Sequence, residues 1–436
     1  MQTRIRYLTY TVLFIFSLSV WVSPVGAKKA EAPKKWGLSM GLRYAAIPFK
    51  TEQDSTYDIV PLIFYDHGRV FIDGLTGGFR FYDSDKWQFS AIGRYRFFDI
   101  PAEYQNQIRE DGLDVGGQLK YRVTDDWDVD FEVLTEDRGY VHANVITKYR
   151  YASDLWEVEP FFRLRWKSDD FNNNFYGLGI AEPNNAFDYQ IGSDFRYHVI
   201  SNLYIIGQAT LTILDEETRN LEFIDKGTQG AVFAGIGFYN EKKPNSQKSY
   251  LDSKPYLRLA HGWATPSSVG DIFTGNTRTD EFDNQLTSLF LGVPLSDTLF
   301  TLPINVYLTP GAVYHHSSEV QNSIWEYVLA VKFYYTVKWP IPWRIGFAEG
   351  VSYMNEVSYI ERQYLERQGY RPSELLNYLD FSFDVSLGHL FNQKAIEDLW
   401  LGWSVHHRSG IFSTSSAFGR ISGGSNYNTV YLQYHF

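Results

Sequence analysis

Beyond residue 27 the chain alternates apolar and polar residues in short blocks. No block reaches the roughly 20 consecutive apolar residues that a spanning helix requires. Alternation at period two puts one row of side chains on each face of a strand. In WQFSAIGRYRFF and WDVDFEVLTE the two rows differ sharply: one is aromatic and aliphatic, the other carries Arg, Asp, Gln or Glu. A soluble β-protein and a membrane barrel with a polar lumen both produce this pattern.

Three features favour the membrane. The chain opens MQTRIRYLTYTVLFIFSLSVWVSPVGAKKA, with Arg4 and Arg6 ahead of an apolar stretch over 7–22 and a small-residue box at Val25-Gly26-Ala27. That is the pattern of a secretory signal peptide over 1–27. Aromatics are dense, with 32 Tyr, 32 Phe and 12 Trp, and the chain closes in TVYLQYHF with a terminal Phe436. Open sheet edges cannot lie in hydrocarbon, so spanning strands must close on themselves. The expected fold is all-β, made of antiparallel outer-membrane barrels, and the expected location is the bacterial outer membrane. With no cysteine there is no disulfide framework or thiolate metal site, and a net charge of -11 argues against nucleic acid.

The strand-like blocks fall into two groups. Residues 36–239 hold eleven, from GLSMGLRYA to GAVFAGIGFY, with turn signals such as DSDK and TDD between them. Residues 240–255, NEKKPNSQKSYLDSKP, are polar with two prolines and read as a linker. Residues 256–436 hold eight, enough to close a small barrel. Two fused barrels are expected, the alternative being a single barrel of about 18–20 strands. Both ends of the second barrel lie on the periplasmic side, so its odd strands rise outward.

One stretch carries candidate chemistry. In WLGWSVHHRSGI, Leu401, Trp403, Val405, His407 and Ser409 share a face, while Gly402, Ser404, His406 and Arg408 share the other. The first row is lipid-facing, so His407 and Ser409 continue it near the outer leaflet. A His beside a Ser can activate the hydroxyl as a nucleophile; a polar interfacial collar is the plainer reading. No Glu or Asp follows Ser409. Parity on the last strand brings Asn426 and Asn428 to the same face, where an Asn could orient an imidazole or make an Asx turn. Glu349 also falls on the apolar parity of its strand, two strands away. YHHSSE repeats the spacing with His316 and Ser318, followed by Glu319.

Around His407-Arg408-Ser409 the second group resembles the PagL-type lipid A 3-O-deacylases. The resemblance implies an eight-stranded barrel with an exterior-facing Ser-His-Glu site, hydrolysing an acyl ester of lipid A or lipopolysaccharide without a metal or other cofactor. Gly410 replaces the Asn usual after the Ser, and the acid is missing. The first group, through VPLIFYDHGRVFIDGLTGGFRFYDSD, NNFYGLGI and GTQGAVFAGIGFY, resembles the MipA/OmpV family. That resemblance implies an envelope-associated barrel without catalytic residues, and a periplasmic protein partner; one member is linked to a murein-hydrolase complex. The expected function is therefore a Ser–His lipid A deacylase among outer-membrane lipids, with a non-enzymatic scaffold or a pore as the alternative.

Overall fold

The computed structural model describes residues 35–436 except 53, 98, 101–111, 137, 201, 240–250, 411–420 and 422. The expected signal peptide and most of the expected linker lie outside the described residues.

The first ring runs through β1 (Lys35–Ala46), β2 (Ser55–His67), β3 (Val70–Gly74), β4 (Thr76–Asp83), β5 (Trp87–Arg96), β6 (Gly112–Arg122), β7 (Trp127–Thr135) and β8 (Val141–Tyr149). It continues through β10 (Trp156–Lys167), β11 (Ala186–Ile200), β12 (Leu203–Ile213) and β13 (Thr228–Tyr239), with the two-residue β9 (Tyr151–Ala152) appended to β10. β13 pairs antiparallel with β1, which closes twelve strands into a barrel. FIDGLTGGFRFY, one of the eleven strand-like blocks of 36–239, forms two strands. Gly74, at φ 64°, turns the chain back on itself, so β3 and β4 form a short hairpin in the wall.

The second ring is a closed eight-stranded barrel. Its strands are β14 (Tyr256–Thr265), β15 (Gln285–Ser296), β16 (Ile304–His315), β17 (Ile324–Val337), β18 (Trp343–Met354), β19 (Leu375–Ser386), β20 (Leu399–Gly410) and β21 (Gly423–His435). The fold is therefore two antiparallel barrels in one chain, not one large one.

Short helices sit in the connections: α1 (Asp169–Phe175), α2 (Glu216–Arg219), α3 (Val269–Phe273), α4 (Tyr359–Arg367) and α5 (Leu387–Phe391). The alternating block LDFSFDVSLGHLF is strand only as far as Ser386; its last five residues form α5, which Ser386 caps by accepting from the His389 N–H. In both barrels the short turns fall at one end and the longer loops at the other. Outer-membrane barrels carry short turns on the periplasmic side.

Parity assigns the faces. Outward residues are large, apolar and exposed, for example Leu42 (56%), Val133 (60%), Ile191 (53%) and Leu259 (55%). Aromatics ring the periplasmic boundary of the first barrel, with Trp87 packed 4.5 Å from Tyr121, and Trp127, Tyr149 and Trp156 also exposed. Such rings suit the headgroup layer, where one end of the side chain is apolar and the other wet. One seam departs from the pattern. Leu38, Leu203 and Phe238 of the first barrel pack with Leu295, Val306 and Val331 of the second, and all are buried although they face outward. Across the seam the Asn202 amide donates to the Leu295 carbonyl. Lipid tails are as apolar as these side chains, so shape and close packing hold the seam rather than water exclusion.

Candidate functional site

At the outer end of β20 the structure brings together two of the four residues singled out by sequence. His407 and Asn426 are cross-strand partners, and His407 Nδ1 lies 2.6 Å from Asn426 Oδ1. The Asn426 amide nitrogen donates to the Ser267 carbonyl at 2.8 Å, which fixes the oxygen toward the imidazole. An amide oxygen only accepts, so His407 carries its proton on Nδ1. The far end of this chain of bonds is the β14–β15 loop. That loop leans on the barrel wall through Phe273 of α3, edge-on to Phe381 at 5.4 Å and to Trp403 at 6.2 Å. On the same strand Val405 is fully buried and Ser409 is 6% exposed.

Among the described residues no hydrogen bond joins Ser409 to His407. Asn428 lies one outward position deeper, opposite Val405 and Trp263 in register. The YHHSSE residues also separate. The His316 ring shares a hydrogen bond with Thr287 at 2.9 Å, while the Ser318 hydroxyl donates to Asn284 at 2.7 Å.

The inward rows carry far more charge. In the second barrel Glu326 accepts from His315 Nε2 at 2.8 Å, His406 Nε2 at 3.1 Å and the Ser352 hydroxyl at 2.6 Å. Toward the outer mouth, Arg408 lies 3.6 Å from Glu361 of α4, which also accepts from Ser425 at 3.0 Å. Toward the periplasm, Asp380 accepts from Arg258 at 2.9 Å and from Lys332. Below it Asp384 takes the Arg344 guanidinium through two bonds, 2.7 and 2.8 Å, and the Tyr431 hydroxyl at 2.7 Å. These layers leave the lumen filled with paired charges and tyrosines. The signal for them was parity: Glu326, Asp380 and Asp384 occupy the row opposite the exposed aromatics of their strands, such as Trp325, Tyr327 and Phe383. The sequence reading followed the outward row and passed over them.

The first barrel is polarised along its axis. Its outer mouth is closed by an apolar cap of Ile47, Phe49, Ile100, Phe171, Phe175, Tyr176, Leu178, Leu214 and Ile224, drawn from four loops. Just below, Arg96 lies over the rings of Phe175 and Phe171 and pairs with Asp114 at 2.8 Å, while Lys167 bridges Asp188 and Asp215 at 2.9 and 2.6 Å. At mid-depth Arg94 holds Glu132 by two bonds of 2.8 and 2.7 Å. Nearer the periplasm the charges are partly solvated. Lys120 and Asp128 sit 3.5 Å apart with side chains 23% and 22% exposed, and Arg150, 45% exposed, faces Glu157 and Glu159 at 3.4 and 3.6 Å.

Comparison with known proteins bears on the first of these two barrels. Residues 38–239 match the family model "MltA-interacting protein MipA". The first barrel resembles that family. The MltA-interacting protein of Escherichia coli (strain K12) is 24% identical over 252 residues, covering 52% of this chain and 99% of that protein. Among solved structures, a bacterial polysaccharide outer membrane secretin aligns over 92% of this chain and 98% of its own at 9% identity with a TM-score of 0.23. Pseudomonas aeruginosa OccK5 (OpdH) aligns over 92% and 97% at 7% identity with a TM-score of 0.25. Barrel architecture and family resemblance together place the protein in the outer membrane.

The deacylase expectation is corrected. The family model that matches is named for interaction with MltA, and it covers the barrel that lacks the His-x-Ser element. At that element the imidazole binds the Asn426 amide, and among the described residues neither a carboxylate nor Ser409 is hydrogen-bonded to it. The serine esterase, its hydrolase activity and its lipid A substrate are therefore withdrawn.

Proposed function

We propose that the protein is a non-enzymatic outer-membrane scaffold that offers the periplasmic mouth of its first barrel to a periplasmic protein. The observation that carries this reading is the axial polarity of that barrel. An apolar plug shuts the outer mouth, and partly solvated, mixed charges line the inner one. A rim of mixed sign suits a polar protein surface, because complementary charges steer an encounter and fix its register. The name of the E. coli relative supports a partner of the MltA kind. We further read 36–239 and 256–436 as two modules joined by 240–255, with 1–27 as an export signal. In this reading the second barrel anchors the first in outer-membrane lipid, and the His407–Asn426 pair pins a loop.

Binding of purified MltA to the full chain in lipid nanodiscs tests the proposal. Lys86→Glu with Arg150→Glu changes two exposed residues at periplasmic turns and spares the buried lumen pairs. The pair of changes is expected to weaken binding by about tenfold, a loss of about 1.4 kcal/mol. Absence of MltA binding to the wild type, or binding indifferent to these changes and to salt, refutes it.

A further inference from the structure

Glu349 stands at the midpoint of β18 and faces outward, between Phe347 and Val351 of the same row. Its register partners are Val331 and Leu379. The side chain lies in the seam between the barrels, the residue is 7% exposed, and Oε1 has no hydrogen-bond partner. It borders an apolar cleft of about 220 Å³ walled by Leu38, Met40 and Phe238 of the first barrel and Val331 and Phe333 of the second. An unpaired carboxyl in hydrocarbon is costly, and intramembrane acids face a partner or a path. Among the described residues none supplies the partner.

We infer that this seam is a binding site for an alkyl chain bearing a hydroxyl, which Glu349 holds by a hydrogen bond while the cleft takes the chain. Depth selects the ligand. Glu349 is the seventh residue of a twelve-residue spanning strand. Lipid headgroups stay at the interface, so the polar group that reaches Glu349 must sit along the chain itself. A hydroxyl is small enough for the cleft and adds no net charge to hydrocarbon. An ionic headgroup would have to be dragged to the centre of the bilayer.

The test is competitive retention, read by native mass spectrometry on the full chain released from nanodiscs, of two probes: methyl 12-hydroxyoctadecanoate and methyl octadecanoate. The wild type is expected to retain the hydroxylated probe about tenfold over the plain one, a preference within the range of intramembrane hydrogen bonds. Glu349→Gln, which still hydrogen-bonds, keeps most of the preference. Glu349→Leu, which leaves no buried carboxyl and needs none for folding, loses it while still binding both probes. Met40→Trp fills the cleft and expels both. Equal retention of the two probes by the wild type overturns the inference. So does a preference that survives in Glu349→Leu, or binding that survives in Met40→Trp.

Discussion

Asn426 stands between His407 and Ser267, accepting from the imidazole at 2.6 Å and donating to the loop carbonyl at 2.8 Å. One amide thus ties the outer end of β20 to the loop before α3. Asn426→Ala removes both bonds and is expected to cost about 1–3 kcal/mol, since two buried groups lose a partner. Limited proteolysis should then cut within 266–284 faster than in the wild type. Ser409→Ala should leave both the cleavage rate and the membrane lipid composition unchanged.

The Asp380 carboxylate is the shared acceptor for Arg258 and Lys332 in the middle of the second barrel. Asp380→Leu strands two cations in a closed lumen. Removing one partner of a buried pair typically costs about 3–5 kcal/mol. Replacing Asp380 and Lys332 together by Leu and Met should recover part of that loss. Urea unfolding in detergent, following the second barrel by its tryptophans, compares the single and double changes.

Phe175 is fully buried in the outer cap, packed against Phe171 with the Arg96 and Arg138 guanidinium groups stacked on its ring. Phe175→Ala should cost about 3–5 kcal/mol, the usual range for a buried aromatic. It should also raise the conductance of planar bilayers containing the protein. The wild type, with its plug intact, should conduct little. A large ohmic conductance in the wild type would favour the pore.

The Asp215 carboxyl at the start of α2 gives the cap a pH dependence. Burial pushes its pKa up, but the Lys167 ammonium at 2.6 Å and the Thr218 N–H and hydroxyl outweigh this and hold it below the usual aspartate range. A depressed carboxyl stabilises the fold above its unfolded value, about 3.9, and that contribution disappears as pH falls through the folded value. The wild type should therefore show a higher urea midpoint than Asp215→Asn at pH 7, and the gap should narrow as pH falls below about 4.

The barrels were legible because lipid imposes a strict rule on every spanning strand. Tyr44, Phe89 and Val133 must face out while Arg43, Gln88 and Glu132 face in, and a period of two shows both rows at once. The eight strands of the second barrel follow from that rule alone. The β3–β4 hairpin was not legible, because GLTGG turns inside what reads as one strand, and only the φ of 64° at Gly74 exposes the turn. At β20 parity separated His406 from His407. It could not show that His407 would bond to Asn426, since contact across strands depends on register and loop placement. Glu349 was visible as an acid on an apolar row, but its meaning required the seam, which no single strand encodes.

The most direct measurement places a photo-activatable side chain at Arg150 on the periplasmic rim or at Lys50 on the outer loop, in the full chain in nanodiscs, with purified MltA present on both sides. A crosslinked product is expected from position 150 and none from position 50. Crosslinking from position 50 alone, or from neither position, would contradict it.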